Sequence, residues 1–558
     1  MASDLFSGLR RNAFSPHRRA IAGHWRGRPK RRIRLFLLGS VVTALLTAFL
    51  LVFGNKSLSE WFATSAHSQG ILPRSEPGAS APAAGEHYRW RSVAIGGGGF
   101  VTGMATDASG KRIVARTDVY GAYVWRADLD RWAQLVTSRS MPEVYRRQNG
   151  VATGVYEITV APDDPDRLYM ATAGALFHSA DAGAHWERSI LEGREAPLSF
   201  DPNAALRFAG PHIAVDPVNP DVALFGAPND GAWRTGDGGK TWTPVATIPS
   251  SASLKGGKEE QTTGAIFWFR KATANRPAQA WAMAPGHGMF VSQDGGHTFS
   301  PLPSRTGNAP DFLKGGTFAA DGSFVGVDNL GQRVWRYRDG AWLDLTLTSG
   351  LKRRGYIAVV AQPGGRLYLF DQGGRTFYSG NGGDSWWPVY RRVSAGEGDP
   401  PWLHVANLGY VAMADAIPDP GKPGRIWIAS GVGPMVTDIF MSALPMIWHT
   451  QARGIEELVT NDVIQPPGGA PLFAAWDFGI HRKENLDAFS RTYGPRERVL
   501  IAAQQLDWSP SDPSFIVTNA SDTRTDCCSE DGDAVMAGYS TDGGLHSGLR
   551  TRGAWRSE

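Results

Sequence analysis

Hydrophobic positions in this 558-residue chain fall into two patterns. Leu35 to Phe53 is one unbroken run of 19 uncharged, mostly apolar residues. As a helix rising about 1.5 Å per residue, it just crosses a hydrocarbon layer of about 30 Å. From about Tyr88 onward the apolar residues come in short runs bounded by turn signals, and long stretches of period 3.6 are scarce. With 67 Gly and 36 Pro, this second pattern predicts an all-β fold of short strands.

The turns themselves repeat. Ser179-Ala-Asp-Ala-Gly-Ala-His-Trp186, Thr235-Gly-Asp-Gly-Gly-Lys-Thr-Trp242 and Ser292-Gln-Asp-Gly-Gly-His-Thr-Phe299 share one outline. A variant stands at Ser379-Gly-Asn-Gly-Gly-Asp-Ser-Trp386, and a copy lacking the aromatic at Ser540-Thr-Asp-Gly-Gly-Leu-His546. Asp181, Asp237 and Asp294 are 56 and 57 residues apart, a period that points to propellers or solenoids. The Asp and Ser/Thr side chains bond nearby backbone, Gly supplies positive φ, and the aromatic packs between sheets. A second recurring element is a Pro-turn feeding an apolar strand, as in Ala161-Pro-Asp-Asp-Pro-Asp-Arg-Leu-Tyr-Met170 and Trp508-Ser-Pro-Ser-Asp-Pro-Ser-Phe-Ile-Val517. The hairpin resembles the Asp-box (BNR) repeat of sialidases, sortilins and several glycan-active propellers. That resemblance implies a structural box lying away from the active site.

These signals divide the chain. Residues 1–34 form a basic tail, 35–53 a transmembrane helix acting as signal anchor, and 54–87 a flexible linker rich in Ser, Ala, Pro and Gly. Residues 88–400 have room for a seven-bladed β-propeller at about 45 residues per blade. Residues 401–558 are too few for a second ring, so a second, incomplete propeller is expected there. The last dozen residues lack strand alternation and read as the truncated or frame-shifted end of a longer protein.

Ten Lys/Arg against one acid precede the apolar run. That excess places the N-terminus in the cytoplasm, making the chain a single-pass protein of the inner membrane with its globular part outside. A cleaved signal peptide is the rival reading, Ala63-Thr-Ser-Ala66 offering the small residues it needs. The overall charge of +4 belongs to the tail: the remainder holds 47 basic and 52 acidic residues. Nothing in it favours nucleic acid. The only cysteines, Cys527 and Cys528, are adjacent, a spacing that does not easily close an ordinary bridge, and a redox or metal site there is the minor reading. No cofactor or metal is expected, and no oligomeric state follows from the sequence.

Two distant segments look alike. One is Gly96-Gly-Gly-Gly-Phe-Val-Thr-Gly-Met followed by Ala115-Arg-Thr-Asp118-Val-Tyr-Gly-Ala-Tyr-Val-Trp125. The other runs from Arg453-Gly-Ile-Glu-Glu through Asn461-Asp462 to Trp476-Asp477-Phe-Gly-Ile-His481. Each carries an apolar strand into an Asp and then a Gly, so the carboxylate stands at a strand end beside permissive backbone. Both segments resemble glycoside hydrolase family 74, the xyloglucan-active endoglucanases and reducing-end cellobiohydrolases built from two seven-bladed propellers. The resemblance runs from about residue 90 to about 535. It implies a polysaccharide substrate and one catalytic Asp from each propeller, Asp118 and Asp477, acting as general acid and base with inversion. The residues leave acid and base open, Asp477 being slightly favoured as the acid.

The chain departs from the family's Asp-x-Gly-Gly at both places, with Tyr120 after Asp118 and Ile480 after Asp477. Asp462 is the backup for Asp477 and reads more readily as structural. Glu456 and Glu457 read as a solvated or salt-bridged pair. Among 20 Trp, those of the hairpins are assigned to the core. Tyr120, Tyr123, Trp125, Trp476 and His481 adjoin the acids and are the candidates for stacking on sugar rings, with Tyr123 and Trp125 equally suited to the core. The competing function is a non-catalytic, sortilin-like propeller that binds glycan or protein.

Overall fold

In the computed structural model, residues 91–97, 99–146, 154–256, 259–274, 278–408, 411–439, 445–476, 478–490, 503–520 and 536–545 are described. Short apolar runs have become short antiparallel strands, four to a sheet. The first sheet is β1 (Val101–Thr106), β2 (Ile113–Thr117), β3 (Ala122–Arg126) and β4 (Arg131–Gln134), paired in chain order. Its second strand is buried throughout, while the last shows alternating exposure. The same gradient recurs in the next sheet, from the wholly buried Val155–Ala161 to the exposed Glu187–Arg188. Inner strands are covered on both faces and read as continuous apolar runs; outer strands meet water.

Six further sheets of this kind follow, within residues 155–188, 190–244, 266–301, 315–344, 356–389 and 391–450. Each packs its first strands on those of the next. Val101–Thr106 lies against both Val155–Ala161 and Met413–Pro418, so the series returns on itself. Two sheets carry a fifth strand, laid parallel along the outer edge. Ile190–Leu191 pairs with Thr241–Pro244, and Arg391–Ser394 with Met446–Thr450. The chain leaving one sheet thus runs along its neighbour's edge before turning inward.

After residue 450 come two three-stranded sheets, Thr460–Ile464 with Leu472–Ala475 and Gly479–Arg482, then Ala503–Ser509 with Asp512–Ala520 and Met536–Ser540. They share a small core of Ile464, Leu472, Ala474, Ala503, Leu506 and Ile516. On the last sheet Val517 and Tyr539 stand opposite one another and are partly exposed.

The recurring hairpins are built alike. In the third, Ser292 Oγ donates to Asp294 (2.7 Å), Gly296 N–H donates to Ser292 Oγ (2.9 Å), and Thr298 N–H donates to Asp294 (3.0 Å). The Asn381 and Asp542 copies repeat the Ser-to-acceptor bond at 2.9 and 2.7 Å. The paired glycines, such as Gly295 and Gly296, have φ of 69° and 86°, which a side chain would resist.

One expectation is corrected. Among the described residues no helix is long and apolar enough to cross a membrane; the α-helices are four-residue turns at Glu143–Arg146 and Leu345–Thr348. The single-pass inner-membrane placement is therefore withdrawn. Residues 35–53, Cys527, Cys528 and the tail 546–558 lie outside the described residues.

Trp242 is fully buried between two sheets, against Tyr169 and Phe225. Trp242→Ala should lower stability by roughly 3–5 kcal/mol, the usual effect of emptying a core site of this size, read as a drop in the thermal or denaturant midpoint.

Candidate active site

Asp118 follows directly on β2, where the chain reverses into β3. Thr117 N–H donates to Gly121 O (2.9 Å) and Gly121 N–H donates back to Thr117 Oγ1 (3.0 Å), closing a tight turn with Asp118, Val119 and Tyr120 at its tip. Asp118 is 9% exposed. Its Oδ2 lies 3.1 Å from Arg207 Nε, and the Arg207 guanidinium sits 5.0 Å over the Phe100 ring. Gly154, on the neighbouring sheet, is pressed so closely to the Asp118 carbonyl that no side chain fits there.

The second sequence segment comes to this same place. Arg453 pairs with Asp130 and Asp399 and covers the Trp125 ring at 5.2 Å. Its carbonyl accepts the Trp132 N–H (2.9 Å). Glu456 Oε2 then accepts the Gly96 and Ile95 N–H groups at 2.7 and 3.2 Å, inside the poly-Gly run. Glu457 donates its own N–H to Gly97 O (3.2 Å), and its Oε1 accepts Thr117 Oγ1 (2.9 Å) and Tyr123 OH (2.7 Å). The two segments, over 300 residues apart, interlock at the turn that carries Asp118.

The electrostatics follow from burial. Glu457 is 4% exposed, and desolvation pushes its carboxyl up to about 8; the nearby Asp118 charge adds to this, against the two hydroxyl donors. Burial also raises Glu456, opposed by its backbone donors and by Lys483. Glu457 is buried and Glu456 half-buried, where the sequence reads as a solvated or salt-bridged pair.

The other candidates separate by exposure. Tyr120 is 41% exposed at the turn tip, and Trp476 is half-buried, its backbone N–H donating to Val459 O (2.9 Å). Tyr123 is buried and committed to Glu457. Trp125 is half-buried within a cluster formed with Trp132 and Trp427, at 5.5 and 5.6 Å. His481, expected to touch substrate, is fully buried against Trp402 and shares a 2.8 Å hydrogen bond with Ser490; burial lowers it to about 3, so it is a neutral core residue. Asp462 accepts the Val463 and Leu506 N–H groups, both at 2.8 Å, and joins the two sheets beyond residue 450. Asp477 lies outside the described residues. Sequence reasoning missed Arg207, which no local motif marks. It set Glu457 aside although the Gly-Ile-Glu-Glu run was in view.

No family model matches the chain. By sequence it is 26% identical over 562 aligned positions to a probable oligoxyloglucan-reducing end-specific xyloglucanase of Neosartorya fischeri, covering 84% of this chain and 65% of the relative. It is also 26% identical to a xyloglucanase of Paenibacillus sp., covering 87% of this chain and 51% of that one. The crystal structure of a family 74 xyloglucanase from Xanthomonas campestris superposes with a TM-score of 0.68 at 25% identity, over 84% of this chain and 70% of that one. The chain is a relative of the glycoside hydrolase family 74 xyloglucanases. It spans between half and two thirds of the length of these two curated relatives. The segments whose motifs resemble family 74 are the ones that interlock around Asp118.

Gly96 has φ of 77°, and a Cβ there would overlap the Pro400 ring. Gly96→Ala should cost at least about 1–3 kcal/mol from the left-handed backbone alone and loosen Glu456 from its N–H donors. Chemical denaturation checks this, the control being Gly350→Ala, a positive-φ glycine in open space.

Proposed function

We propose that this chain is a glycoside hydrolase that cleaves xyloglucan-type β-1,4-glucan with inversion, using two aspartates. The observation that carries the reading is the placement of Asp118 at a strand end, ion-paired to Arg207 and gripped by the second family 74 segment. The names of the curated relatives support the substrate class.

In this reading Asp118 is the general base. A guanidinium 3.1 Å away favours the charged carboxylate that takes a proton from water. That water attacks the anomeric carbon as the glycosidic C–O bond breaks. Asp477, assigned from the resemblance, gives its proton to the departing oxygen. The pair ends with Asp118 protonated and Asp477 ionised, and solvent restores both. Inverting pairs stand about 6.5–9.5 Å apart, leaving room for the water. Tyr120 and Trp476 are the candidates for stacking on sugar faces.

The architecture belongs to the same proposal. The seven sheets of residues 101–450 are read as a seven-bladed propeller, running some fifty residues beyond the boundary expected near 400. The two sheets after it are read as part of a second propeller, incomplete in this chain.

The purified chain should hydrolyse xyloglucan, and Asp118→Asn should lower kcat by about 10²–10⁴-fold with little change in KM. Proton NMR of the first product should show the inverted anomer. Unchanged kcat in the variant, or a retained anomer, would overturn the mechanism. Binding of xyloglucan without any hydrolysis would favour the non-catalytic propeller.

A further inference from the structure

Glu457 has no part in the mechanism above, yet it is the buried carboxyl that touches the Asp118 turn from the second segment. Its Oε1 is bonded to Thr117, the residue before Asp118, and to Tyr123 on β3. Its Oε2 is buried without a hydrogen-bond partner among the described residues, and lies 2.8 Å from where a Cβ on Gly99 would stand. A buried carboxylate with an empty oxygen costs more than a neutral acid in the same place.

We propose that Glu457 is a positioning residue held as a neutral acid, which fixes the Asp118 turn and leaves Arg207 as the charged neighbour of Asp118. This rests on Asp118 being the base. The charged and titratable groups around Glu457 are Asp118, Tyr120 and Tyr123 on the first sheet. Behind it stand Glu456 and the cations facing Glu456, Lys483 and Arg131. Burial and the Asp118 charge both keep the proton on Glu457, with a midpoint of about 8. Above that, a second negative charge would form beside Asp118, and the turn would be held by a charged group it was not packed for.

The sign for stability is definite. The folded state keeps the proton while the unfolded chain, with an ordinary value near 4.5, loses it. The stability contributed by Glu457 is complete below about 4.5 and is lost as pH rises through about 8.

Two measurements test this. The first needs no activity: thermal midpoints of wild type, Glu457→Gln and Asp118→Asn across this pH range. Wild type should lose more midpoint with rising pH than Glu457→Gln. Asp118→Asn should end its decline at lower pH, because the charge that raises Glu457 is gone. Parallel profiles for all three would overturn the neutral acid. The second is kcat on xyloglucan. Glu457→Ala should lower kcat by roughly ten- to a hundredfold with KM little changed, the scale of a misplaced catalytic group. Glu457→Gln should recover all but about threefold of that loss and abolish the fall in kcat near pH 8. Equal losses in both variants, or an alkaline limb that persists in Glu457→Gln, would overturn the positioning role. A wild type with no hydrolysis would refute the enzyme reading, and the stability profiles would still decide whether Glu457 is neutral and coupled to Asp118.

Discussion

Two neighbouring carboxyls, Glu456 and Glu457, go into the protein together, and much of the candidate site is arranged around satisfying them. A buried carboxyl needs donors or a proton. Glu456 takes the first course, reaching the backbone N–H groups of Ile95 and Gly96. Glu457 turns to a different set of partners, the hydroxyls of Thr117 and Tyr123, and takes the second course as well. The constraint passes outward from there. The loop over Glu456 must bring bare amides close, which is why Gly96 and Gly97 adopt positive φ and why Pro400 and Trp402 pack where side chains would otherwise stand. The Thr117 hydroxyl is bound on both sides, to Gly121 and to Glu457, and so the turn between them has little freedom.

The repeating architecture was open to inspection in the sequence because its cause is local. A Ser or Thr, an acceptor two residues on and two positive-φ positions, glycines in every copy but the first, where Ala182 takes one of them, suffice to close each hairpin, and all of those atoms lie within seven residues. Asp118 could be found for a similar reason, as a carboxylate at the end of an apolar strand beside a turn. Arg207 could not, since it reaches Asp118 from a loop 89 residues away with no motif around it. His481 misled because a histidine near a presumed acid invites a chemical role, and its burial comes from Trp402, a residue in a distant short helix. Glu457 was misjudged on a general rule about charged pairs. The rule fails where a poly-Gly loop folds over them. The extent of the seventh sheet also escaped, because the Pro401 region reads as a boundary while the strands that meet β1 begin only at Met413.

The strands laid along the sheet edges divide the joints of this fold into two kinds. Where Ile190–Leu191 and Arg391–Ser394 run beside the outer strands of the sheets that follow, peptide hydrogen bonds tie neighbours together, and a sheet cannot part from the one before it without breaking main-chain ladder. At the other joints the main chain contributes single loop bonds, such as Ala108 N–H to Pro162 O (2.8 Å) and Arg305 N–H to Gly340 O (2.7 Å), and side chains make up the rest of the interface. Main-chain pairing resists shear in a way that interdigitated side chains do not, so the second and third sheets, and the sixth and seventh, are expected to open as pairs under thermal fluctuation. The residues around Asp118 lie on the first sheet, which carries no such tie and is held from outside by the segment beyond residue 450. The rigidity of the Asp118 turn is therefore borrowed from a part of the chain that lies beyond the seven sheets of residues 101–450.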